Sequence, residues 1–503
     1  MKKILFVLAF SLPLLLAACA PDGPATVSLT RDGRFTGRGN MFEPLIEMEI
    51  VASGGEAATL CAVGIELDAS DSSVGRITLM NGAKELASAK VRDGVRSYVL
   101  RCRKAFSDTL RLSVCADILP DAPEGGLVSA EVPLVRFKGS TCAPEAPEGS
   151  PREILLCRKL LFAPGDYGSN FYRIPAIRQL SDGTLLVVND RRNVTENDLP
   201  AEIDVVSRYS TDMGQSWSEP LTIARNGGRL EGYGDPGLVE TEDGVVVCTF
   251  AGGMNFFNSS VDAPQRSYIA VSRDFGRTWS APRDITWTLW GPNPDNPFCE
   301  RYHSSFFTSG NSLLLTDGPH KGRILVANVT AMSGNVLCNH AVYSDDSGKT
   351  WHVSDLAWGE KGNAGDEAKM VELLDGSILM SVRRSGERGY AISRDGGKTW
   401  GERGTWPDLK ANACNGDLIR YNEDILMHTL PCSERLRREN VAVFLSFDEG
   451  KTWPEHKVIS NKDAMYSSLT VLPDGTLGAY IEENINGVEL WYERFSLSWL
   501  RTH

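Results

Sequence analysis

Several features are missing from this 503-residue sequence, and each absence excludes a class of protein. No two of its cysteines form a C-x-x-C pair, so that metal and redox motifs are not indicated. Basic residues are in deficit, with 52 Lys and Arg against 65 Asp and Glu and a net charge of −13. This acidic surface argues against nucleic acid or an anionic membrane face as a partner.

The apolar run at the N-terminus, Ile4 to Leu16, is too short to span a membrane. It follows two lysines and ends in Leu-Ala-Ala-Cys, which predicts an export signal over residues 1–18. The ending resembles a bacterial lipoprotein signal, in which Cys19 becomes the acylated N-terminus, and residues 19–24 would be a tether. We therefore expect an exported, lipid-anchored protein in the periplasm or on the outer-membrane surface. An ordinary signal peptide cut near the same place is the alternative.

An octapeptide, Ser-x-Asp-x-Gly-x-Thr/Ser-Trp, occurs five times in the second part of the chain. The Asp carboxylate can accept backbone N–H groups of its own turn, while Gly supplies a positive φ and Trp a large apolar face. Taken singly, these residues are structural rather than catalytic. The copies are Ser210–Trp217, Ser272–Trp279, Ser344–Trp351, Ser393–Trp400 and Ser446–Trp453.

A second pattern, two apolar stretches joined by a tight polar turn, occurs six times between residues 155 and 498 and predicts β-hairpins. The first five hairpins are each followed by one octapeptide, and repeats at this spacing favour a β-propeller. The sixth module has no octapeptide. An early strand, Leu155–Phe162, would supply its missing piece and close a ring of six blades.

Residues 25–150 contain no octapeptide. Short alternating runs such as Phe42–Val51 and Val128–Phe137, separated by Gly, Asp and Ser turns, predict an antiparallel β-sandwich. The prediction is thus an all-β chain, with an N-terminal β-sandwich followed by a six-bladed β-propeller over residues 151–503. The sandwich could bind carbohydrate or serve as a spacer.

The segment Phe171-Tyr172-Arg173-Ile174-Pro175, together with five octapeptides of the Asp-box type, resembles the sialidase (neuraminidase) family, and bacterial exo-α-sialidases in particular. The resemblance covers residues 155–498. It implies hydrolysis of terminal sialic acid from glycoproteins, glycolipids and oligosaccharides, with sialylated glycans as partners and with no metal or organic cofactor. Because Asp boxes also occur in proteins that catalyse nothing, a non-catalytic sialoglycan-binding lipoprotein is one alternative. A trans-sialidase, or an enzyme that makes an anhydro product, is the other.

The resemblance also implies a set of arginines for the sialic acid carboxylate, because a planar guanidinium matches a carboxylate. Arg173 matches the first through the Arg-Ile-Pro motif, Arg383 the second and Arg438 the third. Arg435 and Arg437 are neighbouring competitors for the third place. A solvated surface arginine is the structural alternative for each.

The catalytic residues implied by the resemblance are Asp198 as acid and base, Tyr466 as nucleophile and Glu367 as the group that takes the phenol proton. A neutral phenol avoids the repulsion that a carboxylate nucleophile would meet beside the substrate's own carboxylate. The structural alternatives are a solvated loop aspartate, a core tyrosine and a turn-capping glutamate.

Three further residues match family positions. Glu482 would orient the first arginine. Arg192 and Asp235 lie where relatives contact the glycerol, N-acyl or C4 side of the sugar.

Overall fold

The structure is a computed structural model that describes residues 24–292, 297–359, 364–411, 413–433, 435, 437–484 and 487–502. The predicted export signal and the predicted lipid anchor at Cys19 lie outside the described residues. The chain divides into two compact units, residues up to Ile154 and residues from Leu155. In the described part, the α-helices are two single turns, α1 (Thr286–Leu289) and α2 (Leu497–Leu500).

Two antiparallel sheets form the first unit, in the strand orders β1-β3-β8-β5-β6 and β2-β11-β9-β4-β7, with β10 beside β9. Their strands are β1 (Ala25–Thr30), β2 (Thr36–Gly37), β3 (Glu43–Ala52), β4 (Ala58–Ala69), β5 (Val74–Asn81), β6 (Lys84–Lys90), β7 (Ser97–Phe106), β8 (Thr109–Ile118), β9 (Leu127–Phe137), β10 (Ser140–Cys142) and β11 (Arg152–Leu155). Alternate residues such as Leu60, Ile77, Val114 and Val135 are fully buried in one apolar core. This arrangement is a β-sandwich.

Six blades of four main strands make up the second unit, and two blades are joined because one long strand belongs to both. Blades 1 to 3 consist of β13 (Phe171–Gln179), β14 (Leu185–Arg192), β15 (Ile203–Ser210) and β16 (Leu221–Ala224); of β17 (Tyr233–Glu240), β18 (Val246–Gly253), β19 (Gln265–Ser272) and β20 (Arg283–Asp284); and of β21 (Tyr302–Phe307), β24 (Ile324–Met332), β25 (Val336–Ser344) and β26 (His352–Trp358). Two short strands, β22 (Gly310–Asn311) and β23 (Leu313–Leu314), pair with β17 and β24.

Blades 4 to 6 consist of β27 (Ala368–Glu372), β28 (Ile378–Val382), β29 (Gly386–Ser393) and β30 (Arg403–Ala411); of β31 (Leu418–Arg420), β32 (Leu426–Pro431), β33 (Glu439–Ser446) and the first half of β34 (Glu455–Val471); and of the second half of β34, β35 (Leu477–Asn484), β36 (Val488–Phe495) and β12 (Cys157–Phe162). The prediction of an all-β chain, with a sandwich ahead of a six-bladed propeller, is confirmed.

The ring closes at the sixth blade through a strand from the start of the unit. β12 pairs antiparallel with β36, with Cys157 opposite Arg494 and Phe162 opposite Leu490. The predicted closing strand is therefore present, although it begins at Cys157, because Leu155 ends β11. Its Arg158 is buried and donates to Glu493 and Glu483, each at 2.7 Å.

Each Asp box joins the third and fourth strands of a blade. In the box after β25, Asp346 accepts hydrogen bonds from the Thr350 backbone N–H at 2.8 Å and from the Thr350 hydroxyl at 2.7 Å. The Ser344 hydroxyl donates to Asp346 and accepts from the Gly348 N–H, at 2.9 Å each. Burial opposes the charge of Asp346, but these bonds outweigh it and hold the pKa of the carboxyl below its ordinary value.

Candidate active site

Three strands are irregular where they reach one end of the propeller. The pairing of β13 with β14 shifts between Arg173 and Ala176, and Ile174 has a φ of 63°. The β17–β18 pairing shifts at Asp235, with a φ of 57°, and the β34–β35 pairing shifts around Tyr466. A positive φ is a genuine outlier for a β-branched residue, and such strain collects at functional sites. The bulges turn side chains toward this end of the propeller.

A cavity of about 280 Å³ opens at this end. Its volume is at the small end of the range for ligand pockets and suits one sugar residue. Its polar wall is formed by Arg173, Asp198, Asp235, Asn255, Gln265, Asp366, Glu367, Arg383, Arg438 and Tyr466. Its apolar wall includes Leu199, Phe256, Phe257, Phe306 and Leu337.

The floor of the cavity holds a buried phenol, a carboxylate and a guanidinium in mutual contact. The Tyr466 hydroxyl donates to Glu367 Oε2 at 2.5 Å, and Arg383 Nη1 donates to the Tyr466 oxygen at 2.8 Å. Arg383 also pairs with Glu367 and, through Nη2, with Asp366 at 3.2 Å. A short charge-assisted contact of this kind can carry a proton from phenol to carboxylate.

The surroundings of Tyr466 keep its phenol protonated. Burial and the neighbouring Glu367 raise the pKa of Tyr466 well above its ordinary value, and Arg383 opposes them. Nucleophilic attack by this oxygen therefore needs a base within hydrogen-bond reach, and Glu367 is such a base.

Two more guanidiniums lie over the ring of Tyr466. The Cζ atoms of Arg173 and Arg438 are 5.5 Å and 5.8 Å from its centroid. Fully buried Glu482 accepts Arg173 Nε at 2.8 Å and the Tyr466 backbone N–H at 3.1 Å, so that it links these two residues. Although burial opposes the charge of Arg173, Glu482 outweighs it and raises the pKa of the guanidinium. Arg438 Nη2 donates to the carbonyl of Ala413 at 3.0 Å.

A second polar group occupies the side of the cavity near β14. Arg192 Nη2 lies 2.8 Å from Asp198 Oδ1 and 3.1 Å from Asp190 Oδ2. Asp198 is in the loop between β14 and β15 with 81% of its side chain exposed, so that its carboxylate is open to solvent. Burial, with Asp190 as the next contribution, raises the pKa of Asp235 well above its ordinary value.

Sequence comparison places this geometry in a family. A family model described as a BNR repeat-like domain matches residues 183–479. The chain is 33% identical to a sialidase of Micromonospora viridifaciens, over 71% of this chain and 56% of that protein. It is 29% identical to a sialidase of Bacteroides fragilis, over 64% of this chain and 61% of that protein. The chain belongs to the BNR-repeat sialidase family.

This chain spans less than two thirds of the length of each of these two sialidases. Among solved structures, it resembles a Hadza microbial sialidase, Hz136, with a TM-score of 0.71 over 94% of this chain and 99% of that one. At 20% identity, this likeness shows a shared fold.

All nine residues predicted for the sialidase-family site lie at this one end of the propeller. Seven line the cavity, while Arg192 and Glu482 contact residues that line it. Sequence reasoning missed two acids, Asp190 and Asp366. Asp190 could have been found from its spacing, because it stands two residues before Arg192 on one face of a strand. Asp366 directly precedes Glu367.

Among the described residues, no group of three or more His, Cys, Asp or Glu side chains is placed to hold a metal ion. The helices in the same part of the chain are too short or too polar to cross a membrane.

Proposed function

We propose that this chain is an exo-α-sialidase, which hydrolyses terminal sialic acid from glycoproteins, glycolipids and oligosaccharides with retention of configuration. The observation that carries the proposal is the Tyr466 hydroxyl, 2.5 Å from Glu367 Oε2, on the floor of a cavity lined by three guanidiniums. Membership of the sialidase family supports the same activity.

The arginines account for recognition of an acidic sugar by a protein of net charge −13. Arg173, Arg383 and Arg438 would grip the carboxylate on the anomeric carbon, and each charge-assisted contact is worth about 1.5–3 kcal/mol. Because the three arginines fix the position of the substrate carboxylate, they also place the anomeric carbon over the phenol of Tyr466.

In the first half of the reaction, the Tyr466 proton moves to Glu367 and the phenol oxygen bonds to the anomeric carbon. The bond from that carbon to the leaving glycosidic oxygen breaks, and Asp198 donates its proton to this oxygen. The products of this half are a sialyl-tyrosine intermediate and the released glycan.

In the second half, the ionised Asp198 takes a proton from water, and the water oxygen attacks the anomeric carbon. The bond to Tyr466 breaks, and Glu367 returns the proton to the phenol. Two inversions give net retention, and the released sugar carries a free anomeric hydroxyl.

Incubation with a panel of α2,3-, α2,6- and α2,8-linked sialosides tests the proposal, with the released sugar identified by NMR and mass spectrometry. Free sialic acid, released first as the α anomer, is expected. Binding of the panel without release would identify a glycan-binding protein instead. Transfer to an added galactoside would identify a trans-sialidase.

We also propose that residues 1–18 direct export and that Cys19 carries the lipid anchor. The support is the sequence Leu16-Ala17-Ala18-Cys19 after a short apolar run. Labelled palmitate should be incorporated into the wild-type protein made in a bacterium, and Cys19→Ser should abolish incorporation. Labelling that persists in Cys19→Ser would refute the anchor.

A further inference from the structure

Asp190 is a buried carboxylate that takes no part in the steps above. It lies near the end of β14 with 1% of its surface exposed. Its Oδ2 atom accepts two hydrogen bonds from Arg192, from Nε at 3.2 Å and from Nη2 at 3.1 Å. Its Oδ1 atom accepts the backbone N–H of Asp235 at 3.0 Å. One carboxylate therefore holds two residues of the site.

These bonds join two neighbouring blades, because Asp190 and Arg192 belong to β14 and Asp235 belongs to β17. The hydrogen bond reaches Asp235 at its left-handed backbone conformation, which is uncommon for a residue other than glycine. The fit is close, since a Cβ atom at Gly234 would lie 3.2 Å and 3.3 Å from the two carboxylate oxygens of Asp190.

The connection continues outward from Arg192. Its Nη2 atom contacts Asp198 Oδ1 at 2.8 Å, and its Nη1 atom donates to the carbonyl of Glu196. Arg192 is 2% exposed and Asp198 is 81% exposed, so that Arg192 connects a fixed interior carboxylate to a solvated loop. Of the three partners of Arg192, Asp190 is the buried side chain, and it accepts two of the hydrogen bonds that Arg192 donates.

We propose that Asp190 is a positioning residue of the active site, whose carboxylate holds Arg192 and Asp235 in the geometry in which both reach the bound sugar. The inference rests on the proposed function, because it assigns these two residues to the substrate. Burial raises the pKa of Asp190, against the opposing effect of Arg192. Its two oxygens accept three N–H bonds, which is the pattern of a charged carboxylate.

The chain offers a matched control for this residue. Asp204, on the adjacent strand β15, is also buried and paired with an arginine, since its Oδ2 atom accepts Arg191 Nη2 at 2.7 Å. Its Oδ1 atom accepts a backbone N–H, that of Asn226, at 2.7 Å. Asp204 makes the same kinds of bond as Asp190, but its partners Arg191 and Asn226 do not line the cavity, whereas Asp235, a partner of Asp190, does.

The test compares Asp190→Asn with Asp204→Asn on an aryl α-sialoside. In Asp190→Asn, an amide NH₂ faces Arg192 in place of a carboxylate oxygen, and KM is expected to rise about ten- to hundredfold, with kcat within about fivefold of wild type. Asp204→Asn should lose a similar amount of thermal stability but keep KM and kcat within about twofold. Equal kinetic effects in the two variants would overturn the proposal.

A second variant disturbs the same contact but keeps the carboxylate of Asp190. Gly234→Ala puts a methyl group against the Asp190 oxygens, and KM should rise severalfold while kcat stays near wild type. An unchanged KM in this variant, if Asp190→Asn does not fold, also overturns the proposal.

Failure of the proposed function gives a different result. If wild-type protein releases no sialic acid, the sialidase proposal fails, and crystal structures of Asp190→Asn and Asp204→Asn then decide the role of Asp190. A displaced Arg192 and a right-handed Asp235 in Asp190→Asn alone would support positioning. Unmoved side chains would refute it.

Discussion

Tyr466 illustrates how a side chain gains its reactivity from its neighbours. Its burial makes the phenolate costly, while Arg383 and the guanidiniums of Arg173 and Arg438 favour negative charge at the same place. The carboxylate of a bound substrate would neutralise part of the positive charge of these arginines. In the proposed reaction, the proton therefore passes to Glu367 as the new bond forms, rather than before the substrate binds.

Removal of the proposed nucleophile or of the proposed acid should stop turnover without unfolding the protein. Tyr466→Phe deletes one buried hydroxyl, and Asp198→Asn changes an exposed side chain. We expect each to lower kcat on an aryl sialoside at least about 100-fold, with a melting temperature within a few degrees of wild type. Steady-state kinetics and calorimetry measure both quantities. Wild-type rates in both variants would refute the catalytic roles proposed for Tyr466 and Asp198.

The third arginine can be tested against its sequence neighbour. Arg438 lines the cavity, whereas Arg437 is exposed and does not. Arg438→Ala should lower kcat/KM by about ten- to hundredfold, the equivalent of one charge-assisted contact of about 1.5–3 kcal/mol. Arg437→Ala should stay within about twofold. A larger loss of kcat/KM in Arg437→Ala than in Arg438→Ala would identify Arg437 as the third carboxylate-binding arginine.

Residues of the site could be predicted where a local motif marks them. Arg173 is marked by Arg-Ile-Pro, and the structure places it beside Tyr466, 293 positions later in the chain. Asp190 is marked only by its spacing to Arg192, while its contact with the backbone of Asp235 joins it to another blade. A sequence pattern does not record that contact.

At the scale of the element, the Asp box is a turn stabilised by its own side chains. It lies between the third and fourth strands of a blade, at the end opposite to the loop that carries Asp198 between the second and third strands. The box therefore contributes to the stability of the blade and not to the chemistry of the cavity.

Loss of one Asp box should cost stability and leave activity intact. Asp346→Ala removes the carboxylate that accepts four hydrogen bonds in the turn and should lower the free energy of unfolding by about 1–3 kcal/mol. Asp355→Ala, an exposed position in the same blade, is the control and should change it by less than about 0.5 kcal/mol. Thermal unfolding and kcat/KM are the measurements. A loss of kcat/KM in Asp346→Ala without loss of stability would contradict this role.

Strands were predictable where apolar alternation and turn chemistry agree, as in Asp375-Gly376 between β27 and β28. β6 (Lys84–Lys90) is not marked in this way, because its residues are half-exposed and include Lys, Glu and Ala, which have low strand propensity. The left-handed conformation of Ile174 was also not predictable. Propensity argues against it, and packing at the site overrides propensity.

At the scale of the whole molecule, the ring is closed by the pairing of β12 with β36, which we call the seam. A buried charge cluster lies at this seam. Arg158 joins β12 to Glu493 of β36 and to Glu483 of β35, and its guanidinium lies 3.8 Å from the ring centroid of Trp491. Burial raises the pKa of Glu493 to about 7, although Arg158 lowers it. A buried cluster of this kind carries a desolvation penalty that depends on pH.

The seam should weaken as the pH rises. A carboxyl group with a pKa of 4.5 when unfolded and about 7 when folded binds its proton more tightly in the folded state. Its contribution to stability is therefore complete below about pH 4.5 and is lost as the pH rises through 7. Glu493→Gln should gain up to about 3 kcal/mol relative to wild type between pH 5 and about pH 8. A stability difference that does not change with pH, measured by urea unfolding, would contradict this.

Closure by β12 has a consequence for the protein during its synthesis. Arg158 leaves the ribosome 335 residues before its partner Glu493, an interval of roughly 20 to 70 seconds at usual elongation rates. Throughout that interval β12 is a strand edge without its neighbour, and an unpaired edge invites pairing with another chain. A cell that makes this protein must keep the nascent segment apart from other nascent chains until the sixth blade emerges.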